Sequence, residues 1–319
     1  MPRAIVILLL VTTVLSGCST NAAAPVVIAP VVTPSPAGGR FLVSVGDSYG
    51  AGFRPTDAGG TTTSSDNFVG SVATRWSRAG SGGGVVPVNF ACAGATSSDL
   101  LVSRGCPAGR RAPGSPAYDD RTQADAATDF LRQNRSRVAA VTVVIGGNDI
   151  NNCLSIGGGR LTDDPTTCLT SAVAALSGSL TQLLTRIRTA VGPNVPIVGL
   201  SYPDVYLALD LAGSGDLAQQ SVTLFRDVLN PALAAAYRAV GGTFVDLTAA
   251  FDGYVPFAST TALAPYGTIP TAVATVCRFT FACSKQDLHP TAEGHHKIAD
   301  AVLAVLPSLP TALPSPAAS

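Results

Sequence analysis

Ser48 closes the run Val43-Ser44-Val45-Gly46-Asp47-Ser48, and its setting is the first chemical clue in the chain. Phe41, Val43 and Val45 alternate as in a short strand, and Gly-Asp-Ser ends that strand in a tight turn. A serine there stands at the carboxyl edge of a strand, where open α/β sheets bind ligands. Its hydroxyl is a weak nucleophile at neutral pH and needs an adjacent base to take its proton. Of the 3 histidines, His289 lies in a loop and is followed by Pro290, whereas His295 and His296 fall inside the helical run beyond it. Asp287 stands two residues before His289. Taken alone, Gly46-Asp47-Ser48 also reads as an ordinary strand-to-helix turn, Asn148-Asp149 as a turn at a strand end, and His289 as a cap on the last helix.

Whether these residues can meet depends on the elements that carry them. Apolar runs predict strands over residues 41–45, 85–90, 138–145, 196–201 and 243–247. Between them the pattern predicts helices over 67–78, 121–134, 169–191, 217–240 and 291–306. Asp66 is the expected N-cap of the first and Trp76 its core anchor, Leu176, Leu180, Leu183, Leu184 and Ile187 form the buried stripe of the third, and Asn230-Pro231 is expected to interrupt the fourth. Residues 53–66, 105–116 and 151–167 read as loop. The stretch 249–284 shows no period and carries Phe251, Tyr254, Phe257, Tyr266, Phe279 and Phe281; it could wall an acyl pocket or simply cover the sheet edge. Strands alternating with helices predict an α/β fold, a single-domain three-layer α/β/α sandwich around a five-stranded parallel sheet with right-handed crossovers. Residues 48, 94, 148 and 289 then fall on loops at one edge of that sheet.

The chain has 319 residues, 46% hydrophobic and 13% charged, enough for one α/β core. Lys+Arg and Asp+Glu are 20 each, which gives no electrostatic reason to expect nucleic acid as a partner. Glu293, His295, His296 and Asp300 invite a metal reading, but a solvated helix face explains them, and neither metal nor cofactor is expected.

In chain order, Gly46-Asp47-Ser48, Gly94 within Ala91-Cys92-Ala93-Gly94-Ala95, Gly146-Gly147-Asn148-Asp149 and Asp287-Leu288-His289-Pro290 resemble the four blocks of the SGNH (GDSL-type) serine hydrolases. The resemblance spans about residues 40–306 and implies the flavodoxin-like sandwich of that family. It also implies Ser48 as nucleophile, His289 as general base, and an oxyanion hole made by the backbone N–H of Ser48, that of Gly94 and the side-chain amide of Asn148. Two departures stand out. Tyr49 replaces the leucine of the family's first block, at a position not expected to do chemistry. The family's acid lies three residues before the histidine, where this chain has Gln286. Some exported actinobacterial members, also with three disulfides, use a Ser-His dyad oriented by the backbone carbonyl at that position, and this chain resembles that group, so the Gln286 carbonyl is the first choice for orienting His289 and Asp287 the second.

The resemblance implies an esterase or lipase acting on lipid or short-chain acyl esters, as a monomer. A carbohydrate O-deacetylase and a non-catalytic ligand-binding lipoprotein are the alternatives. Residues 1–17 have the layout of an export signal, and Leu15-Ser16-Gly17-Cys18 looks like a bacterial lipobox, so cleavage before Cys18 and lipid anchoring to the outer side of the cytoplasmic membrane are expected. Residues 18–39 would be an Ala/Pro-rich tether, 40–306 the hydrolase domain and 307–319 a Pro/Ala/Ser tail. Setting Cys18 aside, the remaining cysteines of the 7 group as neighbours, favouring Cys92–Cys106, Cys153–Cys168 and Cys277–Cys283. Cells fed radiolabelled palmitate should label the parent protein and not Cys18→Ser; label persisting on that variant would refute the anchoring site.

Overall fold

The chain alternates between strands that are apolar along their whole length and helices that are apolar on one face, so the strands must be covered on both sides. The computed structural model describes residues 39–79, 84–154 and 165–309. The signal, Cys18, the tether up to residue 38, part of the 151–167 segment and residues 310–319 of the tail lie outside the described residues.

All five predicted strands are present. They are β1 (Arg40–Gly46), β4 (Val85–Asn89), β5 (Val138–Val144), β6 (Ile197–Leu200) and β7 (Thr243–Val245), with a hairpin of β2 (Phe53–Pro55) and β3 (Thr61–Thr63) after β1, and a second of β8 (Thr260–Leu263) and β9 (Gly267–Pro270) after β7. The five form one sheet in the order β4-β1-β5-β6-β7, every neighbour parallel. Every residue of β1 is buried, as an interior strand of a covered sheet should be. The result is the expected α/β/α sandwich. Phe68–Ala79 packs against the last helix, Ala292–Leu303, while Gln123–Gln133, Pro165–Val191 and Asn230–Ala239 pack in series.

Sheet order is what positions the site. The chain leaves β1, pairs β4 on one side, then crosses back to place β5 on the other, so the direction of winding reverses around β1. Loops leaving the carboxyl ends on either side of such a reversal diverge and open a crevice. Ser48 follows β1, Gly94 lies beyond β4 and Asn148 follows β5. The three are therefore presented by adjacent strands, with Ser48 in the middle and strands about 4.8 Å apart.

Several local expectations change. The helix expected to be capped by Asp66 is capped by Asn67, whose Oδ1 accepts from Gly70 N–H at 3.0 Å. Trp76 is buried as expected, and its Nε1 donates to the Pro307 carbonyl at 3.1 Å, while Leu309 is also buried. The packed unit therefore continues beyond residue 306. Asn230-Pro231 does not interrupt its helix. A π turn over Phe225–Leu229 widens the coil just before the proline, and the α-helix resumes at Asn230. The loop 53–66 holds the β2–β3 hairpin. The stretch 249–284 is structured too, with helices Leu247–Ala250, Thr271–Phe279 and Ala282–Lys285 around the second hairpin.

Gly46 ends β1 at φ 147°, and a Cβ there would stand 1.9 Å from the Val144 carbonyl oxygen. Backbone cannot yield that much, so Gly46→Ala should lower stability by more than about 3 kcal/mol in denaturant titration. A variant within about 1 kcal/mol of the parent would show that the turn relaxes instead.

Candidate active site

At the end of β1 the buried Gln123 side chain accepts from Gly46 N–H at 2.7 Å and donates to the Gly46 carbonyl at 3.0 Å. One amide thus satisfies both polar groups of the glycine that precedes the turn. Asp47 caps the four-residue helix Ser48–Ala51, its Oδ1 accepting from Tyr49 N–H at 3.0 Å. Its Oδ2 accepts from the Tyr202 hydroxyl at 2.5 Å. Burial pushes the Asp47 carboxyl up to about 7, although both hydrogen bonds pull the other way. Ser48 opens that helix at 7% exposure. Its N–H lies outside the intrahelical ladder, as the first donors of any helix do.

Gly94 and Asn148 are tied to this turn and to each other. Cys92 N–H donates to the Gly46 carbonyl at 3.0 Å, and the Cys92–Cys106 disulfide fastens the Gly94 loop to residues 105–111, where Ala93 N–H meets the Arg110 carbonyl at 2.9 Å. Gly94 is exposed at φ 84°, and a Cβ on it would come within 3.3 Å of the Arg110 guanidinium. Across the crevice, Asn148 Nδ2 donates to the Ala95 carbonyl at 2.8 Å. Asp149 accepts from both the N–H and the hydroxyl of Ser97, at 2.9 and 2.6 Å. These bonds lock the amide of Asn148 toward the Gly94 loop.

The His289 loop closes the site. Asp287 Oδ1 accepts from His289 N–H at 2.9 Å and meets His289 Nδ1 at 2.8 Å. Of the two groups expected to orient His289, Asp287, the second choice, is the one bonded to the ring. Gln286 takes the left-handed conformation, φ 51° and ψ 37°, as it ends the helix Ala282–Lys285. The turn it makes lets Asp287 fold back on the backbone two residues ahead, as aspartates do in turns, and the same oxygen then reaches the ring. Burial of the Asp287 carboxyl would raise its pKa. The hydrogen bonds and charge of His289 outweigh that and hold it below the ordinary carboxylate value.

Rings from the Ser48 side reach the imidazole. Phe53 of β2 lies edge-on to it at 5.1 Å and Tyr49 is tilted at 6.1 Å, centroid to centroid. The Cys277–Cys283 disulfide, the Thr280–Pro290 bridge and a Phe281 N–H bond to the His289 carbonyl at 2.9 Å fix the loop from behind. Cys153–Cys168 joins the helix Gly147–Leu154, which carries Asn148, to the long helix Pro165–Val191, completing the expected pairing.

The other candidates are drawn elsewhere. His296 pairs with Asp66, Asp300 with Arg75 and Glu293 with Arg278, so each faces a different element. His295 corrects the expectation of a solvated face. It is fully buried, its ring stacked on Phe68, and neither nitrogen has a protein hydrogen-bond partner. Of the aromatics in 249–284, Phe251 is fully buried and packs edge-on against Phe279, and Tyr254 bonds to Asp246 and Asn230. Phe53, Tyr49, Gln123 and Asp149 are the site residues that sequence reasoning missed. Tyr49 carried a signal as a departure within a recognised block, and Asp149 as the last residue of another.

A family model described as GDSL-like lipase/acylhydrolase matches residues 42–302. None of the curated proteins compared matches the chain. Among solved structures, the lipase Lip_vut3 from a goat rumen metagenome is 15% identical, with a TM-score of 0.47 over 83% of this chain and 96% of that one. LAE5, an α/β hydrolase enzyme from the metagenome of Lake Arreo in Spain, is 18% identical, with a TM-score of 0.44 over 83% and 94%. Est24, a carbohydrate acetylesterase from Sinorhizobium meliloti, is 13% identical, with a TM-score of 0.42 over 83% and 99%.

Burial, and then the neighbouring charges of His289, Arg54 and His296, push the His295 imidazole from 6.5 down to about 3. The unfolded chain binds a proton there at a pH where the folded chain does not. Stability present above pH 6.5 is therefore lost as the pH falls toward 3. His295→Leu, which strands no hydrogen-bond partner, should lose several degrees less in Tm than the parent between pH 7 and 4.5. Equal losses would contradict this.

Proposed function

The chain belongs to the GDSL-like lipase/acylhydrolase family and is a carboxylic ester hydrolase, and from that premise we propose that it works through a Ser48 acyl-enzyme, with His289 as general base and Asp287 orienting it. Ser48 Oγ attacks the ester carbonyl carbon while its proton passes to His289 Nε2, the nitrogen not engaged by Asp287. The carbonyl π electrons move onto oxygen, and the oxyanion accepts from Ser48 N–H, Gly94 N–H and Asn148 Nδ2. Collapse restores the carbonyl and expels the alcohol, which leaves with the proton from Nε2. Water then repeats the sequence and frees the acid.

The observation that carries this reading is the 2.8 Å contact between Asp287 and His289 Nδ1, on a loop whose imidazole lies against the residue after Ser48. A carboxylate on Nδ1 selects the tautomer that leaves Nε2 free to accept a proton and stabilises the imidazolium that follows. Lipid or short-chain acyl esters are the proposed substrates. The half-exposed Phe53 ring beside His289 supplies an apolar flank for an acyl chain. Export and tethering through Cys18 belong to the same reading, and three disulfides suit an oxidising compartment.

A fluorophosphonate should label the parent and not Ser48→Ala, and His289→Ala should leave only a residual rate of ester hydrolysis, roughly 10³-fold or more below the parent. Asp287→Asn should lower kcat by roughly 10³–10⁴-fold on p-nitrophenyl esters. A change within threefold would return the enzyme to a Ser-His dyad.

A further inference from the structure

Tyr49 stands where the family has leucine, and its hydroxyl is its distinguishing feature. That hydroxyl donates to the carbonyl of Leu288, the residue before His289, at 2.7 Å and across 239 positions of sequence. The ring is 5% exposed and held on several sides. Tyr202 packs edge-on to it at 5.0 Å, Asp47 caps its N–H at 3.0 Å, and Tyr202 in turn donates to Asp47. The phenol is thus part of the turn that carries Ser48, and its one polar group grips the loop that carries His289. The contact acts on the backbone of the His289 loop, where rotation of the imidazole cannot relax it.

We propose that Tyr49 is a positioning residue of the catalytic site, fixing the peptide ahead of His289 so that the imidazole is held at a set distance from Ser48. The claim rests on the Ser48–His289 reading above. Asp287 sets the rotation of the ring about its own bonds, whereas Tyr49 sets where the backbone bearing that ring stands. Burial, and then the nearby Asp47 and Asp287 carboxylates, push the phenol well above its ordinary pKa, so it remains a proton donor throughout the working range. A leucine could fill the same space but could not hold the carbonyl. Loss of the hydroxyl leaves the Leu288 carbonyl to seek another donor, and the loop gains freedom along the direction that matters for proton transfer.

The test compares the parent with Tyr49→Phe and Tyr49→p-aminophenylalanine on a neutral p-nitrophenyl ester. Tyr49→Phe should lower kcat about tenfold, the worth of one well-placed hydrogen bond, with KM unchanged. The p-amino analogue keeps the ring and an N–H donor and should restore kcat to within about threefold of the parent. In a His289→Ala background, Tyr49→Phe should cost nothing more, because a residue acting through the imidazole has no effect once the imidazole is gone. A Tyr49→Phe kcat within twofold of the parent overturns the proposal. So does a loss that the p-amino analogue fails to restore, or one that persists undiminished without His289. If His289→Ala itself keeps the parent rate, the catalytic reading fails first; if it keeps only a residual rate and Tyr49→Phe stays within twofold of the parent, only the role of Tyr49 fails.

Discussion

The site depends on a reversal in the winding of the sheet. With β1 between β4 and β5, three loops from separate parts of the chain leave adjacent strand ends, and the middle one bears Ser48. No side chain has to reach far. Strand spacing of about 4.8 Å sets the separation, and the parallel register sets the common level. The pattern of buried strands explains the rest of the packing. A strand as completely buried as β1 must be covered by helices on both faces, which leaves the carboxyl edge as the place where its loops meet solvent.

Loops at a sheet edge are the least constrained part of such a fold, and here nearly every one is tied by a specific polar or covalent link. Gln123 satisfies both backbone groups of Gly46, Asp149 takes both donors of Ser97, and Asn148 holds Ala95. Disulfides fasten the loop after β4, the helix after β5 and the approach to His289. Each link removes freedom that would otherwise be lost when a ligand binds. The His289 loop receives its ties from the most distant sequence. Its carboxylate comes from two residues away, and its backbone is held by a tyrosine beside Ser48.

The five strands, the long helices and the four chemical blocks were legible in the sequence because each is a local pattern: an apolar run, a helical stripe, or a short motif in order. The disulfide pairing was legible from proximity along the chain. The β2–β3 hairpin was not, because Thr61-Thr62-Thr63 offers no alternation between apolar and polar. Helix 215–239 concealed its continuity, since a proline marks a break unless a π turn absorbs it, and that turn has no signature of its own. The contact of Asp287 with the His289 ring turned on the left-handed backbone of Gln286, a conformation that spacing counts do not register. His295 looked solvated because its neighbours are polar along the chain, while its burial is decided by Phe68 on another helix.

The central claim is that Ser48, Gly94, Asn148 and His289 act on one carbonyl. A crystal structure of the protein inhibited by a small alkyl fluorophosphonate tests it most directly, because the bound phosphonate copies the tetrahedral intermediate. The account predicts phosphorus bonded to Ser48 Oγ, its phosphonyl oxygen within hydrogen-bond reach of Ser48 N, Gly94 N and Asn148 Nδ2, and His289 Nε2 beside the leaving-group position. Phosphorus on another residue, or a phosphonyl oxygen turned to solvent away from Gly94 and Asn148, would contradict it.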